Sequence, residues 1–155
     1  MLFDKETVDL FKTVVKKEGS FHLPAQGNSM YPFIKSGDIC YFNECKLVQL
    51  KKGDIVLFYS ATKRLIAHRY YKEMKNNQQR QFLFKGDTNL GYDQPIRGEQ
   101  IVGKLLYVQK RHTKLYVSSF LAKTWGKLIM SVPMLTIVLR RYINFQRRKK
   151  GGVNK

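Results

Sequence analysis

Between Phe21 and Val108 the chain breaks into short runs rich in β-branched and aromatic residues, each closed by turn residues, and that rhythm constrains the fold more than any other feature. The runs are Ile39-Cys40-Tyr41-Phe42, Ile55-Val56-Leu57-Phe58-Tyr59, Leu65-Ile66-Ala67-His68-Arg69-Tyr70-Tyr71, Gln81-Phe82-Leu83-Phe84 and Ile101 to Val108. Their spacing predicts a compact, mostly antiparallel β domain. The pair Gly-Asp recurs at strand borders as Gly37-Asp38, Gly53-Asp54 and Gly86-Asp87. Glycine supplies each turn, and the aspartate can bond its own backbone two residues on. The first two pairs lead into strands and read as structural turns, whereas the third opens a polar loop. Lys75 to Arg80 reads as a polar hairpin tip.

The ends differ from this middle. Residues 4 to 18 set Val8, Leu10, Phe11, Val14 and Val15 among charges at near-helical spacing, with Asp4 as N-cap and Gly19 as stop. This predicts a short amphipathic helix, too polar to cross a bilayer. The amino terminus lacks the basic flank and apolar run of a secretory signal, so the start of the chain is expected to stay cytoplasmic. The formal net charge is +18, yet none of the 11 acidic residues lies beyond Glu99. The basic excess is therefore C-terminal. Leu128 to Leu139 carries no charge but is interrupted by Pro133, and as a helix it covers only about 18 Å of a hydrocarbon core of roughly 30 Å. Arg140, Arg141, Arg147, Arg148, Lys149, Lys150 and Lys155 follow it. An apolar, Trp125-containing segment before such a cluster suits an anionic membrane surface better than nucleic acid. The plain alternative is a core-packing helix with a solvated tail. The expected division is an N-terminal helix over 1–19, a β domain over 20–112, a membrane-interacting helix over 113–145 and a basic tail over 146–155.

Three features can carry chemistry. Gly27-Asn28-Ser29-Met30-Tyr31-Pro32, closed by Gly37-Asp38, presents one hydroxyl at a bend. His68 shares a strand face with Ile66 and Tyr70 by alternation. Asp87 and Asp93 stand in the loop after a strand, where a side chain can reach across a cleft. Taken singly, Ser29 is an ordinary loop serine and His68 a half-buried core histidine. Together, serine, histidine and aspartate can form a nucleophile, its general base and the group that orients the base. Cys40 and Cys45 are too few for a structural zinc site and read as reduced thiols; no metal or cofactor is expected.

Ser29-Met30-Tyr31-Pro32 with Gly37-Asp38, then Gly53-Asp54-Ile55-Val56, then His68-Arg69, then Lys85-Gly86-Asp87-Thr88-Asn89 and Asp93, resemble the successive boxes of type I signal peptidases. Histidine at the third box resembles the endoplasmic-reticulum-type members, where the usual bacterial members carry lysine. The resemblance covers residues 27 to about 103. It implies a β-rich catalytic core in which Ser29 attacks the scissile carbonyl and His68 takes its proton. It also implies that Asp93, in preference to Asp87, orients His68, and that the Ser29 backbone N–H helps form the oxyanion hole. Substrates would bind extended beside a strand, with small side chains at the first and third positions before the cut. Typical members place a membrane helix before the serine, where this chain has only the charged segment 4–18. The related self-cleaving repressor peptidases use lysine as base and carry a DNA-binding domain for which 26 residues before the serine loop do not suffice.

The fold expected is thus mainly β, with a short N-terminal helix and a C-terminal apolar or amphipathic helix. The function expected is a serine endopeptidase cleaving signal or leader peptides at the cell membrane. Its partners are a precursor with a signal or leader segment and anionic lipid, with no nucleic acid. Two alternatives use the same sequence: a cytosolic or membrane-surface peptidase dedicated to the leader of one peptide product, and a non-catalytic basic protein that binds membrane or RNA.

Overall fold

The computed structural model describes residues 3–76 and 79–151. Helix α1 (Lys5–Glu18) opens the chain, with the Asp4 carboxylate accepting from the Thr7 N–H at 2.7 Å and Gly19 closing it at φ 76°. Both ends lie where the capping residues predict. Val8 and Val15, seven residues apart, are its buried pair. Phe11 on the same helix stacks on Phe21 of the sheet, centroids 5.5 Å apart. Burial of each such side chain contributes about 1.5–3 kcal/mol, so the helix is fixed by its apolar stripe.

Eight strands form one antiparallel sheet, curved into a half-barrel: β1 (Ser20–Pro24), β2 (Ile39–Asn43), β3 (Ile55–Tyr59), β4 (Leu65–Asn76), β5 (Gln79–Lys85), β6 (Ile96–Arg97), β7 (Ile101–Gln109) and β8 (Lys114–Tyr116). The order is β1-β2-β7-β3-β4-β5-β6, with β8 paired to β7. This is the mainly β architecture expected. Alternation along β3 sends Ile55 and Leu57 into the core under α1, and Val56 and Phe58 into a second cluster with Tyr70, Phe82 and Phe84. The sheet is therefore apolar on both faces.

Three differences from the sequence reading have physical causes. Of the stretch expected as a hairpin tip, Lys75 and Asn76 belong to β4 and Gln79 and Arg80 to β5, paired across the hairpin where the Arg80 guanidinium also holds the Glu73 carboxylate at 2.6 and 2.8 Å; Asn77 and Gln78 lie outside the described residues. The β domain does not end at residue 112, since β8 adds a strand beyond it. Finally, the segment expected as one helix over 113–145 is two, α2 (Phe120–Ser131) and α3 (Pro133–Gly151), bent by 102°. Pro133 has no N–H with which to continue α2, so the helix closes on the Val132 N–H to Leu128 carbonyl bond at 2.9 Å. The expected basic tail belongs to α3 as far as residue 151; the remainder lies outside the described residues. Among the described residues no single helix is long and apolar enough to cross a membrane, although the bent pair is by length and composition.

Candidate active site

Ser29 stands in a loop pinned at its neck, where the Ala25 N–H donates to the Asp38 carbonyl at 2.7 Å and the Gly37 N–H to the Ala25 carbonyl at 2.9 Å. Gly27 takes φ 83°, a conformation that side-chain-bearing residues rarely adopt. Met30, Phe33 and Ile34 are buried beneath the loop, so its floor is apolar while the hydroxyl stays at the rim. The aspartates of the first two Gly-Asp turns do not bond two residues on, as the sequence suggested. They accept instead from the N–H three residues back, Lys35 to Asp38 and Lys51 to Asp54, both at 2.8 Å. Their charge is met by Lys110 at 2.6 Å and Lys104 at 2.7 Å, which tie both turns to the β7 region.

His68 is buried on β4, opposite Val56 in register, with its ring edge against Phe58. Its Nε2 lies 2.9 Å from Ser29 Oγ and its Nδ1 lies 2.6 Å from Asp93 Oδ2. A carboxylate only accepts, so Nδ1 carries the proton and Nε2 is left to accept from the serine hydroxyl. Asp93 is held in turn by its N–H donating to the Phe84 carbonyl at 2.9 Å, while its neighbour Tyr92 packs on Tyr71. Tyr71 is free of the ladder because β4 and β5 shift register between Tyr70 and Lys72.

The loop after β5 touches both base and nucleophile. A Cβ at Gly86 would sit 2.9 Å from His68 Nε2 and 3.0 Å from the Ser29 carbonyl oxygen, so glycine alone fits there. Thr88 N–H donates to that same carbonyl at 2.9 Å, and Thr88 Oγ1 to the Asn28 carbonyl at 3.2 Å. These bonds hold the peptides on both sides of Ser29.

Asp87 is elsewhere. Its carboxylate accepts from Arg69 at 2.7 and 3.1 Å and from Trp125 Nε1 at 2.9 Å, with both ion-pair side chains buried. Arg69 also donates to the Gly53 carbonyl at 3.0 Å and lies over the Phe33 ring. Helix α2 covers this pair: a Cβ at Gly126 would meet Arg69 Nη1 at 3.1 Å. Of the two aspartates open in the sequence, the structure brings Asp93 to His68 and gives Asp87 to Arg69. The supporting roles of Gly86, Thr88, Arg69 and Trp125 were not read from the sequence. The alternation of β4, with Arg69 opposed to His68, is the signal that separates the two aspartates.

A mainly apolar cleft of about 650 Å³ ends at Ser29 and His68, walled by Leu23, Ala25, Met30, Leu57, Ile66 and Ala67 among others. Among the described residues β1 pairs with β2 alone, and β5 joins β4 only from Arg69 onward, so two strand edges outside the ladder flank the cleft. Cys40, on its wall, is pushed up to about 12 by burial, and Cys45 to about 11 by the same cause. Neither thiol is a nucleophile near neutral pH. Among the described residues no group of three or more His, Cys, Asp or Glu side chains is placed to hold a metal ion. A family model described as Peptidase S24-like matches residues 2–105. No curated protein matches the chain.

Proposed function

The chain belongs to the Peptidase S24-like family, which includes serine peptidases with Ser/Lys or Ser/His dyads, and from that premise we propose that it is a serine endopeptidase that cleaves signal or leader peptides at a membrane surface. The observation that carries this reading is the continuous chain from Asp93 through His68 to Ser29, 2.6 and 2.9 Å. In this mechanism His68 Nε2 takes the proton from Ser29 Oγ as the oxygen attacks the scissile carbonyl, and Asp93 steadies the imidazolium that results. The Ser29 N–H supports the oxyanion, where loss of one donor typically costs about 2.7–4 kcal/mol of transition-state stabilisation. His68 then returns the proton to the leaving amine, and water releases the acyl group by the same relay in reverse. Histidine as base, in the box where type I signal peptidases of the endoplasmic-reticulum type carry it, supports the finer assignment.

An extended peptide adds its backbone to the two strand edges, with its residues before the cut in the apolar cleft. Attachment to the membrane rests on α2 and α3. Phe120, Leu121, Val138 and Phe145 are all more than half exposed, on helices that also carry Lys123, Arg141 and Lys149 and no acid. Apolar side chains beside cations suit anionic headgroups and leave nucleic acid the poorer fit. The 102° bend favours a pair lying along one leaflet over a straight crossing, which gives weight to membrane-surface leader trimming.

The test is cleavage of a leader-bearing precursor peptide by the full-length protein on anionic vesicles, with Ser29→Ala as control and a serine-directed acylating probe as second readout. Cleavage and labelling should both vanish in Ser29→Ala. Retention of either would remove Ser29 from the role and this reading with it.

A further inference from the structure

We propose that Arg140 and Arg147 of α3 select substrates carrying an Asp or Glu side chain in the first few residues after the cut. The inference rests on the peptidase reading above. Ser29 borders two cavities: the apolar cleft already described and, on its other side, a polar one of about 340 Å³. Asn28, Thr88 and Asn89 form the second cavity's wall from the β domain, and Arg140, Asn144 and Arg147 form it from α3. A peptide whose residues before the cut fill the apolar cleft must carry the following residues into this polar space.

The two arginines are placed there by helix geometry. At about 100° per residue, Thr136, Arg140, Ile143 and Arg147 fall on one narrow stripe. Thr136 and Ile143 are buried on it, so the stripe faces the body. Arg141 and Arg148 point away. Contact between Tyr142 and Tyr31, centroids 5.9 Å apart, seats the helix on the serine loop. Neither the Arg140 nor the Arg147 side chain has a hydrogen bond or ion pair among the described residues, and no lining residue of the cavity is acidic. Two unneutralised guanidinium groups in a concave site concentrate positive potential beside the reacting atoms. Their planar forks match a carboxylate in bidentate geometry. Peptide with a carboxylate on this side is therefore held, and peptide with a lysine there is repelled.

A library of soluble peptides, digested by the full-length protein and sequenced by mass spectrometry, reads the preference directly. Peptides with Asp or Glu within four residues after the cut should be cleaved about fivefold faster than their Asn or Gln counterparts, the range expected for solvent-accessible ion pairs. The ratio should fall toward one in R140Q/R147Q and stay unchanged in R148Q. A wild-type ratio near one, or a ratio indifferent to R140Q/R147Q, would overturn the inference while leaving the peptidase reading intact. If R140Q/R147Q spares the ratio and instead weakens binding to phosphatidylglycerol vesicles, the arginines serve lipid headgroups and the inference likewise fails. Should no library peptide be cut, acylation of Ser29 by a 4-nitrophenyl ester and by its counterpart with a carboxylate on the leaving ring replaces the readout. Preference for the anionic leaving group that is lost in R140Q/R147Q supports the site, and equal rates overturn it. Acylation by neither ester would remove the peptidase reading itself and this inference together.

Discussion

His68 Nδ1 lies 2.6 Å from Asp93 Oδ2, while Asp87, six residues earlier in the same loop, accepts from Arg69 on the neighbouring position of β4. One strand thus sorts two carboxylates by alternation, sending one to the imidazole and one to a buried guanidinium. Their removal should be felt in different measurements. Asp93→Asn should lower kcat/KM by roughly two to four orders of magnitude, through the wrong imidazole tautomer, with little change in Tm. Asp87→Asn should cost about 3–5 kcal/mol of stability by leaving Arg69 buried without its partner. Equal loss of activity at unchanged Tm in both variants would contradict this division.

Gly86→Ala probes the contact between the loop and the base. The backbone there is open to any L-residue, but the methyl would meet both His68 Nε2 and the Ser29 carbonyl oxygen. Expected is a loss of more than about tenfold in kcat, from displacement of reacting groups, with destabilisation of only about 1–3 kcal/mol. Near-normal kcat would mean that the loop yields without disturbing the pair.

Membrane attachment should depend on side chains at the surface of α2 and α3, and not on the whole C-terminal segment. Truncation at residue 115 would remove most of β8 and take Ala122 and Trp125 out of the core, confusing release with unfolding. Replacing Phe120, Leu121, Val138 and Phe145 by serine leaves the buried stripe intact. Cosedimentation of this variant with phosphatidylglycerol vesicles should fall at least tenfold, with an unchanged thermal transition. Undiminished cosedimentation would count against lipid contact through these helices.

The thiols give a pH dependence whose sign is fixed. Cys40 keeps its proton to about 12 and Cys45 to about 11 in the fold, whereas an unfolded thiol ionises near 8.5. Between those values the folded state binds more protons, so stability falls as pH rises from about 9 toward 11–12, by at most about 1.4 kcal/mol per pH unit for each thiol. Urea unfolding of C40A/C45A should show a shallower decline over that range. Iodoacetamide at pH 8 should leave both thiols unmodified until the protein is unfolded.

What the sequence revealed depended on how local each determinant is. The strands Ile39–Phe42, Ile55–Tyr59 and Ile101–Val108 were legible because their β-branched and aromatic runs end at Gly-Asp turns or polar residues. Strands β1, β6 and β8 were not, since Ser20–Pro24, Ile96–Arg97 and Lys114–Tyr116 are short and half polar and owe their state to the partner strand. Ser29 and His68, each ordinary taken singly, stood out through their chain order with the aspartates and through the resemblance of the boxes that hold them. The assignment of Asp87 required a tertiary fact, the burial of Arg69 under Trp125. Pro133 marked an interruption, but the angle it introduces is set by how α2 and α3 each seat on the β domain. Arg140 and Arg147 were read as part of one basic cluster, although their spacing from Ile143 already sets them apart from Arg141 and Arg148.

Trp125 gives the C-terminal arm a hold on the catalytic loop. Its indole N–H and Gly126 together roof the Arg69–Asp87 pair, and Asp87 directly follows the glycine that abuts His68. Lifting α2 away would admit water to two buried charges and loosen the loop in the same movement. Inactivation on heating should therefore precede loss of the sheet: the enzyme fails first as a mechanism, while most of its strands are still in place.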